Sequence, residues 1–200
     1  RVAKSHLRVG TVQYAATQSE ELTQKVVAAA GFADAEEMLR TVTRRQFDLV
    51  AHWMRLGFVH GVMNTDNVAL SGETIDYGPC AFTERFDGTA SFSSIDRQGR
   101  YAFGNQPNII AWNMARLAEA LYPLLGAEKV DAYVKTVQPA WDEAWATWIG
   151  DDHDGLNAAA DITTYNREHG INGSEGPVFI PRNQMLQEAI DAAELRGDYT

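Results

Sequence analysis

The fold of this chain is decided by the run HGVMNTDN at residues 60–67, followed after a short spacer by DYG at residues 76–78. The spacer, residues 68–75, contains two strand-like runs joined by a Ser-Gly turn, where glycine accepts a positive φ at little cost. Such a hairpin brings its two ends together. The spacing therefore predicts a tight β-hairpin with Asn67 and Asp76 at the same end.

Amide and carboxylate oxygens are ligands that Mg²⁺ and Mn²⁺ prefer in proteins. Asn67 and Asp76 supply one of each, and phosphate oxygens and water can complete an octahedral set. The sequence thus predicts a site for Mg²⁺ or Mn²⁺ at these two residues. Asp and Asn are also common turn formers, because their side chains bond to nearby backbone groups. A purely local role for Asp66, Asn67 and Asp76 therefore stays open.

The same residues follow the order of the metal-binding loop of protein kinases, in which H-R-D-x-x-x-x-N is followed by D-F-G. His60, Asn67 and Asp76 fall at the His, the Asn and the D-F-G Asp of that pattern. Val62 falls where the catalytic Asp is expected, and a valine can neither accept a proton nor orient a hydroxyl. The pattern therefore predicts metal binding but disfavours ordinary phosphoryl transfer.

Helical patterns dominate the rest of the chain, and they occur over about residues 17–30, 34–58, 107–124, 130–148 and 184–196. We expect a mainly α fold with a small β-hairpin, resembling the C-terminal lobe of a protein-kinase-like fold, in a single domain over residues 1–200. Residues 149–176 are rich in Gly, Asp and Asn, which predicts a loop or linker. Trp141, Trp145 and Trp148 form a helical stripe whose exposure would favour a homo-oligomer or another partner.

The composition argues against several classes of partner. A net charge of −10 and a pI near 4.9 argue against a surface that binds nucleic acid or an anionic membrane. No run approaches about 18 consecutive apolar residues, and the first residues lack a charged-then-apolar signal pattern. Cys80 is the only cysteine, which excludes an intrachain disulfide and fits a reducing compartment. We therefore expect a soluble, cytoplasmic protein that binds neither nucleic acid nor membranes.

Four runs in the chain resemble one protein family. They are RVAKSHLRVGTVQY at residues 1–14, HGVMNTDNVALSGETIDYGPCAF at 60–82, SSIDRQGRYAFGNQPNIIAWNMARLAEAL at 93–121 and PVFIPRNQMLQEAIDAA at 177–193. Together they are similar to the SelO (YdiU) family of kinase-like protein adenylyltransferases. The resemblance covers about residues 1–125 and 177–198.

This resemblance implies an activity and a set of ligands. ATP lies reversed relative to its orientation in a kinase, so that AMP is transferred to a Ser, Thr or Tyr hydroxyl of a protein substrate. By motif position, Asn67 and Asp76 hold the metal ion and ATP, and Asp66 is the general base. Asp66 is also the nearest carboxylate that can accept the proton in place of Val62, because aspartate is ordinarily ionised at neutral pH.

The chain also departs from the family. It contains nothing that resembles a glycine-rich phosphate loop, a strand lysine or its partner glutamate, which belong to an N-terminal lobe upstream of such a loop. Between Trp148 and Pro177 the family has a longer helical insertion. The resemblance therefore implies a truncated relative or a fragment, in which the basic residues that contact the phosphates belong to the absent lobe. A catalytically inactive, kinase-like interaction module is the alternative.

Overall fold

A computed structural model describes residues 3–170, 180 and 182–198 of the chain. The helices are α1 (Val9–Gln18), α2 (Glu20–Ala29), α3 (Ala35–Leu56), α4 (Gln106–Trp148), α5 (His153–Ala158), α6 (Ile162–His169) and α7 (Asn183–Arg196), and the strands are β1 (Phe58–Val59) and β2 (Ala81–Phe82). The predicted class, mainly α with one small antiparallel pair, is confirmed. Over the described part of the chain, a helix long and apolar enough to cross a membrane is not found.

Helix α3 begins and ends where the sequence predicts. The Asp34 side chain caps its first turn by accepting a hydrogen bond from the Glu37 N–H (2.8 Å), and Gly57 ends it in the left-handed region with φ 72°. The apolar face of α3 is buried, mainly against α4. This buried helix is followed by β1, and His60 comes directly after β1 in the chain.

Helix α4 bends once and therefore presents two packing surfaces. Gly126 adopts φ 75° and ψ 170° inside it, which separates an arm of residues 106–125 from an arm of residues 127–148. The first arm lies at the centre of the core and buries Ile110, Met114, Leu117 and Leu121. The second arm reaches α3 through Tyr133, whose hydroxyl lies 2.9 Å from that of Thr43.

The tryptophan stripe on the second arm packs inside the molecule. The Trp141 ring meets Phe47 edge-on at 5.6 Å. The Trp148 ring stacks on His52 at 3.9 Å, and its Nε1–H donates to Asp48 Oδ1 (2.7 Å). The Trp145 ring lies 5.8 Å from that of His153, so all three rings are partly buried within this chain, and the homo-oligomer stays a prediction.

The hairpin expected over residues 68–75 is reduced to a single bridge. Val68 and Thr74 face each other in antiparallel orientation around a turn in which Gly72 has φ 76°. The regular strand pair is instead formed by β1 and β2, which flank this bridge in the chain. The turn chemistry was therefore predicted correctly, whereas the ladder was placed on the wrong residues.

The prediction of a loop or linker over residues 149–176 does not hold for residues 150–169, which form a 3₁₀ turn followed by α5 and α6. This segment has few large apolar residues, but Leu156 and Ile162 are fully buried against the core. A small number of well-placed apolar side chains is enough to dock short helices. Residues 171–179 of the predicted loop lie outside the described residues.

Arg55, near the end of α3, connects this segment to the core. Its buried guanidinium donates to the Asp152 carboxylate and to the His169 carbonyl oxygen (2.9 Å), and the Tyr165 hydroxyl donates to the other Asp152 oxygen. Burial raises the pKa of Asp152, but the hydrogen bonds and the positive charge of Arg55 outweigh it, so the pKa lies below its ordinary value. The ion pair therefore ties residues 150–169 to the helix that supports the site.

Candidate functional site

The loop that follows β1 is held in place by the first arm of α4. Gln106 is completely buried; its Oε1 accepts from the His60 N–H (3.0 Å) and its Nε2 donates to the Phe58 carbonyl (2.9 Å). Buried Asn113 donates to the Met63 carbonyl (2.9 Å). These amides satisfy backbone groups of β1 and of the loop that follows it, so the loop has a fixed path.

The His60 side chain joins the two halves of the site. Its Nε2 lies 2.8 Å from the Ile75 carbonyl oxygen, which can only accept, so Nε2 carries the hydrogen. Nδ1 then has a lone pair and accepts a longer hydrogen bond from the Val62 N–H (3.4 Å). The ring is thus a neutral bridge between the loop and the backbone next to Asp76.

The neutral state of His60 gives stability a pH dependence. Burial lowers its pKa from the ordinary value of 6.5, and the Ile75 hydrogen bond and the Asp76 charge oppose this only in part. Because the folded protein prefers the neutral ring, the unfolded chain binds more protons below about pH 6.5. We expect the His60 contribution to be complete above that pH and to be lost as the pH falls towards the lower, folded-state pKa.

Urea unfolding of the protein and of His60→Gln between about pH 8 and about pH 5.5 checks this expectation. The variant should show a weaker loss of stability on acidification. His52, whose pKa is also lowered by burial, is present in both proteins and cancels in the comparison. Identical pH profiles would contradict the neutral bridge.

Gly61 allows the loop to pass close to Pro79. It has φ 83°, and a Cβ atom there would lie 2.9 Å from both the Pro79 carbonyl oxygen and its Cγ. We expect Gly61→Ala to lower the free energy of unfolding by about 2 kcal/mol through strain and steric overlap, measured by urea denaturation. Gly78→Ala is the matched control, because nothing lies within 4 Å of its Cβ position. Equal losses in the two variants would show that the close approach to Pro79 does not matter.

Asn67 is oriented by the same loop. It ends the 3₁₀ turn Thr65–Asn67, and its Nδ2 donates to the Val62 carbonyl (3.1 Å). A carbonyl only accepts, so the amide nitrogen must be the atom that meets it. The amide oxygen, Oδ1, has no hydrogen-bond partner among the described residues, so it is available to a ligand.

Asp76 emerges from the other half of the site. Ile75, which precedes it, is buried, whereas Asp76 is exposed and its carboxylate accepts no hydrogen bond from the described residues. Within the described ranges it is the one non-glycine residue with positive φ, at 57°. Aspartate tolerates this conformation better than most residues, and such backbone strain clusters at functional positions.

The structure therefore brings the two predicted ligands to the two sides of one hydrogen-bonded unit. Asn67 bonds to Val62, Val62 bonds to His60, and His60 bonds to Ile75, which precedes Asp76. Each link involves a backbone group, so the path of the chain, and not only the side chains, is fixed. The arrangement fixes the loop that carries Asn67 relative to the backbone that precedes Asp76.

Asp66, the predicted general base, lies on the same 3₁₀ turn. It is exposed, and its carboxylate has no hydrogen-bond partner in the part of the chain that the structure describes. Helix α1 packs closely behind it, since a Cβ atom on Gly10 would lie 3.4 Å from the Asp66 nitrogen. Val62 is half-buried and commits its backbone N–H and carbonyl to His60 and Asn67. Asp66 is therefore an exposed carboxylate that directly precedes Asn67 in the chain.

Sequence reasoning missed Arg8. This residue forms an antiparallel bridge with Ala69, and the Val9 N–H donates to the Val68 carbonyl (3.0 Å). Its Nε is buried and has no hydrogen-bond partner among the described residues. It also precedes the first turn of α1, where the helix dipole favours anions. A basic residue just before a helix start was the available signal, but nothing in the sequence showed that it meets residues 68–70.

The number of protein ligands limits the kind of metal site. Over residues 3–170, 180 and 182–198, no group of three or more His, Cys, Asp or Glu side chains could hold a metal ion. Asn67 and Asp76 would thus provide two oxygens of an open site and not a closed cage. Mg²⁺ typically binds in this way, through one or two carboxylates together with substrate phosphates and water.

Comparisons with known proteins find relatives that match the segment containing this site. A family model described as protein adenylyltransferase SelO matches residues 1–160. A protein nucleotidyltransferase YdiU from Cereibacter sphaeroides is 52% identical over 162 residues, which covers 72% of this chain and 34% of the relative. The protein of the same name from Halalkalibacterium halodurans is 51% identical over 273 residues, which covers 100% of this chain and 56% of the relative.

The chain spans between about a third and somewhat more than half of the length of these relatives. The second alignment spans 273 positions, more than the 200 residues of this chain, as expected if the relative has internal residues without a counterpart here. The family model extends past residue 125, where the first stretch of the resemblance ends, to residue 160, and the second stretch, 177–198, is covered by the Halalkalibacterium alignment. It includes Asp66, Asn67 and Asp76, and the chain therefore belongs to the SelO family.

Proposed function

We propose that this protein transfers AMP from ATP to Ser, Thr or Tyr hydroxyls of other proteins, with Mg²⁺ or Mn²⁺ held by Asn67 and Asp76. The family model is described as a protein adenylyltransferase, and the relatives are named protein nucleotidyltransferases. The observation that carries the proposal is the His60 bridge. It joins the loop of Asn67 to the backbone of Asp76 and leaves both side-chain oxygens available.

The donor set fits a hard divalent cation. Asn67 offers an amide oxygen whose orientation is fixed by Val62, and Asp76 offers an exposed carboxylate. When bound, a cation of this kind stabilises the negative charge that develops on the phosphate oxygens during transfer. Oxygen ligands suit Mg²⁺ and Mn²⁺ alike, so the residues favour neither ion over the other.

Asp66 acts on the acceptor. Its carboxylate takes the proton of the acceptor hydroxyl as that oxygen forms a bond to the α-phosphorus of ATP, and the bond from the α-phosphorus to pyrophosphate breaks. The position of Asp66 on the same turn as Asn67 supports this role. Val62 cannot take the role, because its side chain has no polar atom.

Arg8 acts on the nucleotide. The Arg8 residue is half-buried, and its Nε is buried without a partner among the described residues, so it is a donor that an anion can satisfy. The bridge to Ala69 places the Arg8 backbone beside the segment that follows Asn67. We assign the Arg8 guanidinium to the phosphates of ATP, which gives this chain one basic contact of its own.

The position of a radioactive label distinguishes the possible reactions. The full-length protein is incubated with Mn²⁺, an acceptor protein and ATP labelled at either the α- or the γ-phosphate. We expect label to enter protein from the α position only. Label from the γ position would instead support kinase chemistry in spite of Val62. Absence of label from both positions, with folded protein, would support the non-catalytic interaction module.

A further inference from the structure

A cluster of cations and aromatic rings lies on the α4 side of the site. The Arg100 guanidinium carbon lies 4.9 Å from the centroid of the Trp112 ring and 5.7 Å from that of Tyr101. The Arg116 guanidinium carbon lies 5.5 Å from the centroid of the same Trp112 ring. We call Arg100, Trp112 and Arg116 the Arg100 cluster. The cluster thus places two guanidinium groups around one exposed ring, on a chain with a net charge of −10.

The edge of the Arg100 guanidinium is available for binding. Asp96, the nearest acidic residue in the sequence, uses its carboxylate to accept from the backbone N–H groups of Arg100 and Tyr101 (2.9 and 2.7 Å). No side-chain hydrogen bond or ion pair of Arg100 is found in the part of the chain that the structure describes. Rings contact the face of a guanidinium, whereas carboxylates bind along its edge. The rings therefore hold Arg100 in place and leave its donors unused.

The charge of Arg116 is already paired within the molecule. This residue forms an ion pair with Glu119, and its Nε is buried without a hydrogen-bond partner among the described residues. Its main contribution is the contact with Trp112, which limits the positions that this ring can adopt. Arg100 is therefore the residue of the cluster that meets a ligand.

The cluster lies close to the loop that carries Asp66. The Tyr101 hydroxyl donates to Asn64 Oδ1 (2.5 Å), and Asn64 directly precedes the 3₁₀ turn Thr65–Asn67. Arg8 contacts the chain beyond that turn, at Ala69. The Arg8 backbone and the neighbour of Arg100 in the chain, Tyr101, therefore contact segments on the two sides of this turn.

We propose that the Arg100 cluster binds an acidic side chain of the acceptor polypeptide, close to the hydroxyl that receives AMP. The proposal rests on the function proposed above and specifies its substrate class, namely hydroxyl residues flanked by Asp or Glu. A bidentate contact between Arg100 and a carboxylate provides the recognition, with Trp112 as a surface against which the peptide packs. At physiological ionic strength charges beyond about 8 Å are screened, so this contact outweighs the general repulsion by an acidic protein.

A binding assay without nucleotide tests this proposal independently of catalysis. Fluorescence anisotropy at physiological salt compares a labelled peptide that has Glu on both sides of a serine with the same peptide carrying Gln. We expect the acidic peptide to bind about tenfold more tightly, because hydrogen bonds to a charged group are stronger than those to a neutral amide and about 1.4 kcal/mol is a factor of ten in Kd. Arg100→Gln should abolish the preference. Arg85→Gln removes an equal charge from the same exposed segment and should retain it.

Three results would overturn the proposal. The first is equal binding of the two peptides, and the second is a preference for single-stranded RNA at the Arg100 cluster, which would identify a different partner. The third is a loss of Mn²⁺–ATP binding in Arg100→Gln, which would assign this cation to the nucleotide. Because no AMP is transferred in the assay, failure of the proposed function and failure of acidic-peptide recognition are separable.

Discussion

Asp76→Asn is expected to lower the rate of AMP transfer by the full-length protein on the order of a thousandfold. A catalytic cation contributes several kcal/mol of charge stabilisation, and each ~1.4 kcal/mol is a factor of ten in rate. The substitution removes the charge of a ligand and keeps its size. Asparagine also tolerates the φ of 57° that Asp76 adopts, so the backbone should be unchanged. Initial rates of incorporation from α-labelled ATP measure the loss.

Two further variants control this prediction. Asp154→Asn removes a carboxylate from a fully exposed position on α5 and should leave the rate unchanged. Asp66→Asn should lower kcat by about 10²–10⁴-fold, because it removes a general base, while the affinity for Mn²⁺–ATP is retained. If Asp76→Asn kept most of its activity, the cation would have to be held by other residues.

Arg55→Met is expected to lower the free energy of unfolding by about 3 kcal/mol, because it leaves one member of a buried ion pair without its partner. The Arg55 side chain is 0% exposed, whereas that of Asp152 is 27% exposed. Water can therefore reach Asp152 in part, which keeps the loss at the low end of the range for buried pairs. The hydrogen bond to the His169 carbonyl is lost as well. Urea denaturation measures the total effect.

The location of the lost stability in Arg55→Met shows whether the ion pair acts on α5 and α6. Amide hydrogen exchange should become faster in α5 and α6, which Arg55 ties to α3, before it does so in the α4 core. Arg40→Met is the control, because its pair with Glu36 is largely exposed and should contribute less than about 1 kcal/mol. A similar small loss in both variants would mean that the ion pair does not hold residues 150–169.

The long helices could be predicted from the sequence because each carries its own local signals. The cap at Asp34 and the left-handed Gly57 set both ends of α3, and helical spacing of apolar residues identified both arms of α4. The pairing of β1 with β2 could not be predicted, because a strand of two residues is too short to show alternating apolar and polar residues. Docking of residues 150–169 depends on Arg55, which looks like an ordinary surface residue in the sequence.

The site was predictable only in part, for a related reason. The spacing of His60, Asn67 and Asp76 suggested convergence, since a short hairpin is a local feature. The contacts of Arg8 and Arg100 with the loop and its surroundings depend on how distant segments meet. Asp96 is an example. The sequence left open an ion pair with an arginine nearby, but its carboxylate accepts hydrogen bonds from backbone N–H groups.

The central claim is that Asn67 and Asp76 hold one divalent cation together with ATP. Paramagnetic broadening of amide NMR signals by Mn²⁺, in the presence of an ATP analogue that cannot be cleaved, tests it most directly. We expect broadening of the signals of residues 60–67 and 75–78, and its loss in Asp76→Asn. Broadening centred on the acidic residues 151–154, or broadening that persists unchanged in Asp76→Asn, would contradict it.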